Sequence, residues 1–121
     1  NPDEINLGYA EPYRNFIYID DLLDAWETVI TNPDKTLNNT YTLGPANALK
    51  IRNYAAMIAE LMNWKGHINW DTKPKRPGEI YVLNSNHELL TKHTGWEPKV
   101  SLTEGLNRTI AHWENLADEE Q

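Results

Sequence analysis

The sequence has no cysteine, which removes disulfides, thiolate nucleophiles and zinc–thiolate sites. Its glycines, at 8, 44, 66, 78, 95 and 105, never fall within three residues of one another. Neither a dinucleotide fingerprint nor a phosphate-binding P-loop can be assembled from glycines so dispersed. No tyrosine has a lysine four residues on, no Gly-x-Ser-x-Gly elbow occurs, and His67, His87, His93 and His112 have no metal-ligand spacing. Positive charge is scarce, with 11 Lys and Arg against 18 Asp and Glu and a net charge of -7. Generic nucleic-acid binding needs the opposite balance. No apolar run reaches the roughly 20 residues of a membrane span. Asn1-Pro2-Asp3-Glu4 has no feature of a secretory leader, so a reducing cytoplasm is the expected compartment and the Asn-x-Thr sequons at Asn38 and Asn107 carry no weight. With no Met in front, the sequence is expected to be a domain or piece of a longer chain.

What is present is an ordinary globular composition, 121 residues with 40% hydrophobic and 24% charged, enough for one modest core. Ile5-Asn6-Leu7-Gly8 reads as a short strand, followed by a polar loop over residues 9–15. Phe16-Ile17-Tyr18-Ile19 is a short extended run. Asp20 and Asp21 offer an N-cap and first-turn charge to a helix whose apolar positions are Leu22, Ala25, Trp26, Val29 and Ile30, stopped by Asn32-Pro33. Thr40-Tyr41-Thr42-Leu43-Gly44 has strand composition. A second helix carries Ile51, Tyr54, Ala55, Ile58, Leu61 and Met62 on one face and starts poorly capped at Lys50. His67-Ile68-Asn69-Trp70 reads as a strand, and residues 71–79 form a loop with two prolines and a glycine. Ser85-Asn86-His87-Glu88 and Ser101-Leu102-Thr103-Glu104 both match the capping box. They announce a helix ending at Gly95 and another carrying Leu102, Leu106, Ile110 and Trp113. The acidic run Asp118-Glu119-Glu120 reads as a frayed end. Alternating strands and helices predict a small mixed α/β domain of about four helices and three or four short strands.

Three stretches in register carry a resemblance: Arg14-Asn15-Phe16-Ile17-Tyr18-Ile19-Asp20-Asp21, then Arg76-Pro77-Gly78-Glu79, then Gly95-Trp96-Glu97-Pro98 leading into Ser101-Leu102-Thr103-Glu104-Gly105-Leu106. With Tyr41-Thr42-Leu43-Gly44 between them, the chain from about residue 5 to 115 resembles the C-terminal part of the extended short-chain dehydrogenases, the NAD(P)-dependent epimerases and dehydratases of sugar nucleotides. Two positions depart from that pattern, with Asn15 and Glu79 each standing where Asp is usual. The resemblance implies that residues 1–121 are a sugar-nucleotide-binding part, with residues 17–44 packing on a dinucleotide-binding domain absent from this sequence. It implies that Arg14 and Arg76 reach the diphosphate of a nucleoside-diphosphate sugar and that Glu79 accepts from its ribose hydroxyls. No catalytic, cofactor-binding or metal-binding residue is expected here. NAD or NADP would be bound by the parent enzyme, not by this chain.

The residues make chemical sense apart from the family. Guanidinium forks bind diphosphate oxygens bidentately, and Lys73, Lys75 and Arg76 concentrate positive charge in one proline-rich loop. Of these Arg76 is expected to dominate, Lys75 to back it up, and Lys73 to matter little. Plainer readings stand beside these: Arg14 as a surface residue paired with Asp20 or Asp21, residues 73–76 as a solvated loop, and the five tryptophans as core and lid packing. A free-standing binding or interaction module is the alternative function. If the first helix docks on an absent domain, its apolar face predicts self-association or a loosely packed region.

Overall fold

The computed structural model describes residues 2–45 and 47–119. The order of elements is β1 (Glu4–Asn6), β2 (Tyr13–Arg14), α1 (Ile19–Thr31), the single turn α2 (Pro33–Thr36), β3 (Leu49–Lys50), α3 (Ile51–Leu61), β4 (His67–Asn69), α4 (Glu88–Thr94) and α5 (Leu102–Glu119). The strands form two small sheets. β1 and β4 pair in parallel, with Ile5 opposite Ile68. β2 and β3 pair antiparallel, with Tyr13 opposite Lys50. Residues 81–83 run beside β2, where Tyr13 N donates to Tyr81 O and Leu83 N to Tyr13 O. The domain is therefore the expected small mixed α/β fold, with a one-turn helix added.

Helix starts are where local reading and structure part most often. The N-cap of α1 is Tyr18, and it makes no side-chain cap. Asp20 and Asp21 lie inside the first turn, supplying the expected charge there but no cap, and Asp21 is buried because it serves a distant segment. Its two oxygens accept from Lys99 N and Val100 N at 3.0 Å each. The first capping box fails for a similar reason. Ser85 donates to Leu43 O, so the N-cap of α4 is His87, and Asn86 Oδ1 accepts from Glu88 N instead. The second box is half made, with Ser101 Oγ accepting from Glu104 N while the Glu104 carboxylate turns to Arg108. The weak start of α3 is compensated from outside, since Ile51 N and Arg52 N donate to Pro12 O and Ala10 O. These two bonds satisfy amides that have no partner inside the helix. Gly95 ends α4 as expected, at a φ of 77° that other residues adopt at a cost.

Residues 40–44 belong to no strand; they connect α2 to β3. Their side chains and carbonyls bond to residues 85–86 in place of a ladder: Thr42 Oγ1 donates to Asn86 O, and Leu43 O accepts from Ser85. Asp118 and Glu119 end differently from the frayed tail expected, as Glu119 closes α5; Glu120 lies outside the described residues.

The core is small and sits between α1 and α4. Ala25, Leu90 and Trp96 are buried together, with Ile17, Val29, Tyr41 and Leu43 packed around them. Trp96 is pinned by its indole N–H, which donates to Asp24 Oδ2 at 3.0 Å. Trp26 and Trp113 are not core residues: they are 62% and 64% exposed. On α1 the expected apolar face divides. Ala25 faces inward, while Trp26 and Ile30 join Ile19 and Leu23 in an exposed stripe at helical spacing.

Candidate diphosphate-binding cleft

The feature that gathers distant charged residues is a cleft of about 300 Å³ between the loop after β1, β2, the start of α3 and the loop over residues 73–79. Gly8, Tyr9, Pro12, Ile51 and Pro74 form its walls, and Arg14, Lys73, Arg76 and Glu79 supply all of its charge. Its volume is at the lower end of the range for small-molecule sites.

Arg14 enters from β2. Its carbonyl accepts from the hydroxyl of buried Tyr54 at 2.9 Å, which ties the strand to α3. Its guanidinium is fixed twice, with Nη1 donating to Tyr13 O at 2.7 Å and Nη2 donating to Glu79 Oε1 at 2.9 Å. Both side chains of this ion pair are about one-fifth exposed. The surface pairing with Asp20 or Asp21 does not form; the carboxylate that meets Arg14 lies 65 residues away.

Arg76 and Glu79 are the ends of one turn. Glu79 N donates to Arg76 O at 3.1 Å, Pro77 holds the second position, and Gly78 has a φ of 74° at the third. That φ is the requirement of a type II turn, and glycine meets it without strain. The turn sets the two side chains at the same cleft, while Arg76 has no carboxylate partner among the described residues.

The opposite wall is held by a polar network. Glu11 accepts from Lys50 Nζ and from Arg52 Nε, each at 2.8 Å. Arg52 also reaches Asp71 at 2.7 Å and lies over the Trp70 ring. Asp71 in turn accepts from Ala10 N at 3.1 Å. The hydrogen bonds from Lys50 and then Arg52 hold the Glu11 carboxyl below the usual carboxylate range, and Glu11 in turn holds the Lys50 ammonium above the usual lysine range. Loop residues 9–12 are thus braced from β3, α3 and the residues after β4.

The three residues expected from sequence therefore line one cleft. The loop lysines are apportioned differently from expectation: Lys73 lines the cleft and Lys75 does not. The change from Asp to Asn at position 15 also has a visible consequence. Asn15 Nδ2 donates to Pro45 O and Ser85 O, while Oδ1 accepts from Ser85 N. An ionised carboxylate has no proton to give those carbonyls. Helical spacing marks Tyr54 only as an apolar helix position; the signal for its second role is a tyrosine on an otherwise apolar face, where a buried hydroxyl needs a partner.

The family model described as GDP-mannose 4,6 dehydratase matches residues 1–109. Among curated relatives, the putative GDP-L-fucose synthase 2 of Arabidopsis thaliana is 31% identical over all of this chain and 36% of its own length. The GDP-6-deoxy-D-mannose reductase of Pseudomonas aeruginosa is 22% identical over 98% of this chain and 38% of its own. Among solved structures, UDP-glucose 4-epimerase from Thermotoga maritima with UDP-glucose superposes with a TM-score of 0.84 at 23% identity, covering 94% of this chain and 36% of that one. RMD from Pseudomonas aeruginosa complexed with NADPH gives 0.81 at 21% identity, covering 95% and 36%. The chain thus spans about a third of the length of the proteins it matches. It belongs to the GDP-mannose 4,6-dehydratase family, among the NAD(P)-dependent epimerases and dehydratases of the extended short-chain dehydrogenase type.

Proposed function

We propose that this chain is the substrate-holding part of an NAD(P)-dependent sugar-nucleotide epimerase, dehydratase or reductase, and that its cleft binds the nucleoside diphosphate. The observation that carries this reading is the meeting of Arg14, Arg76 and Glu79 at one cleft, although Arg14 is some sixty residues from the other two. Arg14 and Arg76 would take the diphosphate oxygens with charge-assisted bonds. Glu79 bonds Arg14 through Oε1 only; its Oε2, with no protein partner among the described residues, would accept from the ribose hydroxyls. The same carboxylate then aims the Arg14 fork and recognises the nucleoside.

The dinucleotide is assigned elsewhere. None of the glycines lies in a turn immediately before a helix, so the residues present do not fit its phosphates. Oxidation and reduction of the sugar would belong to other parts of a longer protein. Residues 17–44 would pack on that dinucleotide-binding part. The exposed stripe Ile19, Leu23, Trp26 and Ile30 supports this, as does the segment 40–44, which pairs with no strand among the described residues. Such a stripe needs a cover.

The test is titration calorimetry on the full-length protein with UDP-, GDP-, CDP- and dTDP-sugars. Arg76→Ala should cost roughly 1.5–3 kcal/mol, about tenfold to more than a hundredfold in Kd. Arg76→Lys should recover only part, because an ammonium lacks the planar fork. Affinity within twofold of wild type after Arg76→Ala would refute the reading.

A further inference from the structure

We infer that Lys73 is a third phosphate-binding cation of the cleft and a determinant of its selectivity for a ligand bearing two phosphoryl groups. The inference rests on the diphosphate reading above and extends it to a residue for which the sequence pattern gave no role.

Three observations carry it. The first is charge. The cleft is lined by three cations and one carboxylate, leaving two positive charges in a chain whose net charge is -7. The diphosphate diester of a sugar nucleotide has one negative charge on each phosphoryl group, which balances that surplus. With Lys73 left out, the surplus would be a single charge and one phosphoryl group would lack a counter-charge.

The second is pairing. Three neighbouring cations are already engaged: Arg14 with Glu79, Lys50 with Glu11, and Arg52 with Glu11 and Asp71. Lys73 and Arg76 have no carboxylate partner among the described residues. They are the two cations that can meet an incoming anion without giving up an existing ion pair.

The third is placement. The backbone leading into Lys73 is fastened on both sides of the cleft mouth. Asp71 holds Ala10 N and Arg52, and Thr72 donates to Leu7 O through both its N–H and its hydroxyl, at 2.9 and 2.8 Å. Pro74 restricts Lys73 itself to extended backbone. Its Cβ lies 3.8 Å from the point where a Cβ on Gly8 would stand, against the cleft wall. Lys75 is two residues further along, between two prolines, and does not line the cleft. The root of Lys73 is thus held in position before any ligand arrives, while its ammonium is left to find a phosphoryl oxygen.

The experiment is calorimetry on the full-length protein with UDP-glucose, GDP-mannose, CDP-glucose, dTDP-glucose and inorganic pyrophosphate, comparing wild type with Lys73→Met, Lys73→Arg and Lys75→Met. For whichever sugar nucleotide binds, Lys73→Met should weaken binding about tenfold, the lower end for a bond to a charged group because Lys73 is exposed before binding. Lys73→Arg should restore most of the affinity, and Lys75→Met should stay within twofold. The loss should shrink as NaCl is raised, because exposed charges are screened; a packing role for the lysine stem would not respond to salt. Pyrophosphate should show the same Lys73 dependence at weaker affinity. If a sugar nucleotide binds wild type and Lys73→Met within twofold of each other, the role of Lys73 is overturned and the arginine clamp stands. If no member of the panel binds wild type, the diphosphate reading falls and the Lys73 inference with it.

Discussion

The cleft and the outer face of α1 are built by opposite means. Around the cleft, Glu11, Lys50, Arg52, Asp71, Arg14 and Glu79 are linked in ion pairs of 2.7–2.9 Å, and the loops they fix are short of helix and strand. Along α1 the outward residues Ile19, Leu23, Trp26 and Ile30 are each more than half exposed, with no polar group engaged. The cleft holds its shape from residues within this chain. The α1 stripe is apolar and uncovered among the described residues, as the proposed packing on a dinucleotide-binding part requires. A polar cleft is thus braced by ion pairs on the same domain that leaves an apolar helix face exposed.

The comparison can be broken most severely at the inner side of α1. Leu90 is fully buried against Ala25 and Trp96, so Leu90→Ala should destabilise by about 2–5 kcal/mol. Urea unfolding would read this, and a loss under about 1 kcal/mol would mean that the small core does not hold α1 in place. The outer side should behave in the opposite way. Trp26→Ser with Ile30→Ser should change the stability of this chain alone by no more than about 0.5 kcal/mol. The same pair of changes should abolish self-association of the isolated chain in sedimentation, or weaken packing of the full-length protein. A large loss of stability in the isolated chain would show that the stripe is internal packing after all.

The smallest effect concerns pH. Glu11 is held below the usual carboxylate range by Lys50 and Arg52. A carboxylate with a lowered folded-state pKa contributes stability that is full above its unfolded value and is lost as pH falls through the folded one. The Glu11 contribution should therefore be complete at neutral pH and disappear on acidification below the ordinary carboxylate range. Lys50 is raised, so its share is full below the usual lysine range and fades as pH climbs through the folded value. Amide exchange of Ala10, within the braced loop, and of Tyr13, just after it, should quicken in that acidic window in wild type. Glu11→Gln should show faster exchange at neutral pH and a flatter pH profile; an unchanged profile would remove the brace from the account.

Much of this fold is legible where the physics is local. The Pro77-Gly78 turn, the αL stop at Gly95 and the periodic faces of α3 and α5 depend on residues within a few positions of one another. What the sequence conceals is non-local. Asp21 looks like capping material, yet its carboxylate serves amides 78 and 79 residues away. Ser85 matches a capping box but gives its proton to Leu43 O, in a segment of strand composition that forms no ladder. The cleft shows both sides. Arg14, Arg76 and Glu79 could be picked out by motif, whereas the choice between Lys73 and Lys75 depended on how Thr72 fastens the loop beside Leu7.

The central claim is that Arg14 and Arg76 clasp one diphosphate, and a crystal structure of the full-length protein with a bound sugar nucleotide tests it most directly. Guanidinium nitrogens of both residues should lie at about 2.7–2.9 Å from diphosphate oxygens, with Glu79 accepting from a ribose hydroxyl. A diphosphate bound elsewhere, or one touched by neither arginine, would contradict it.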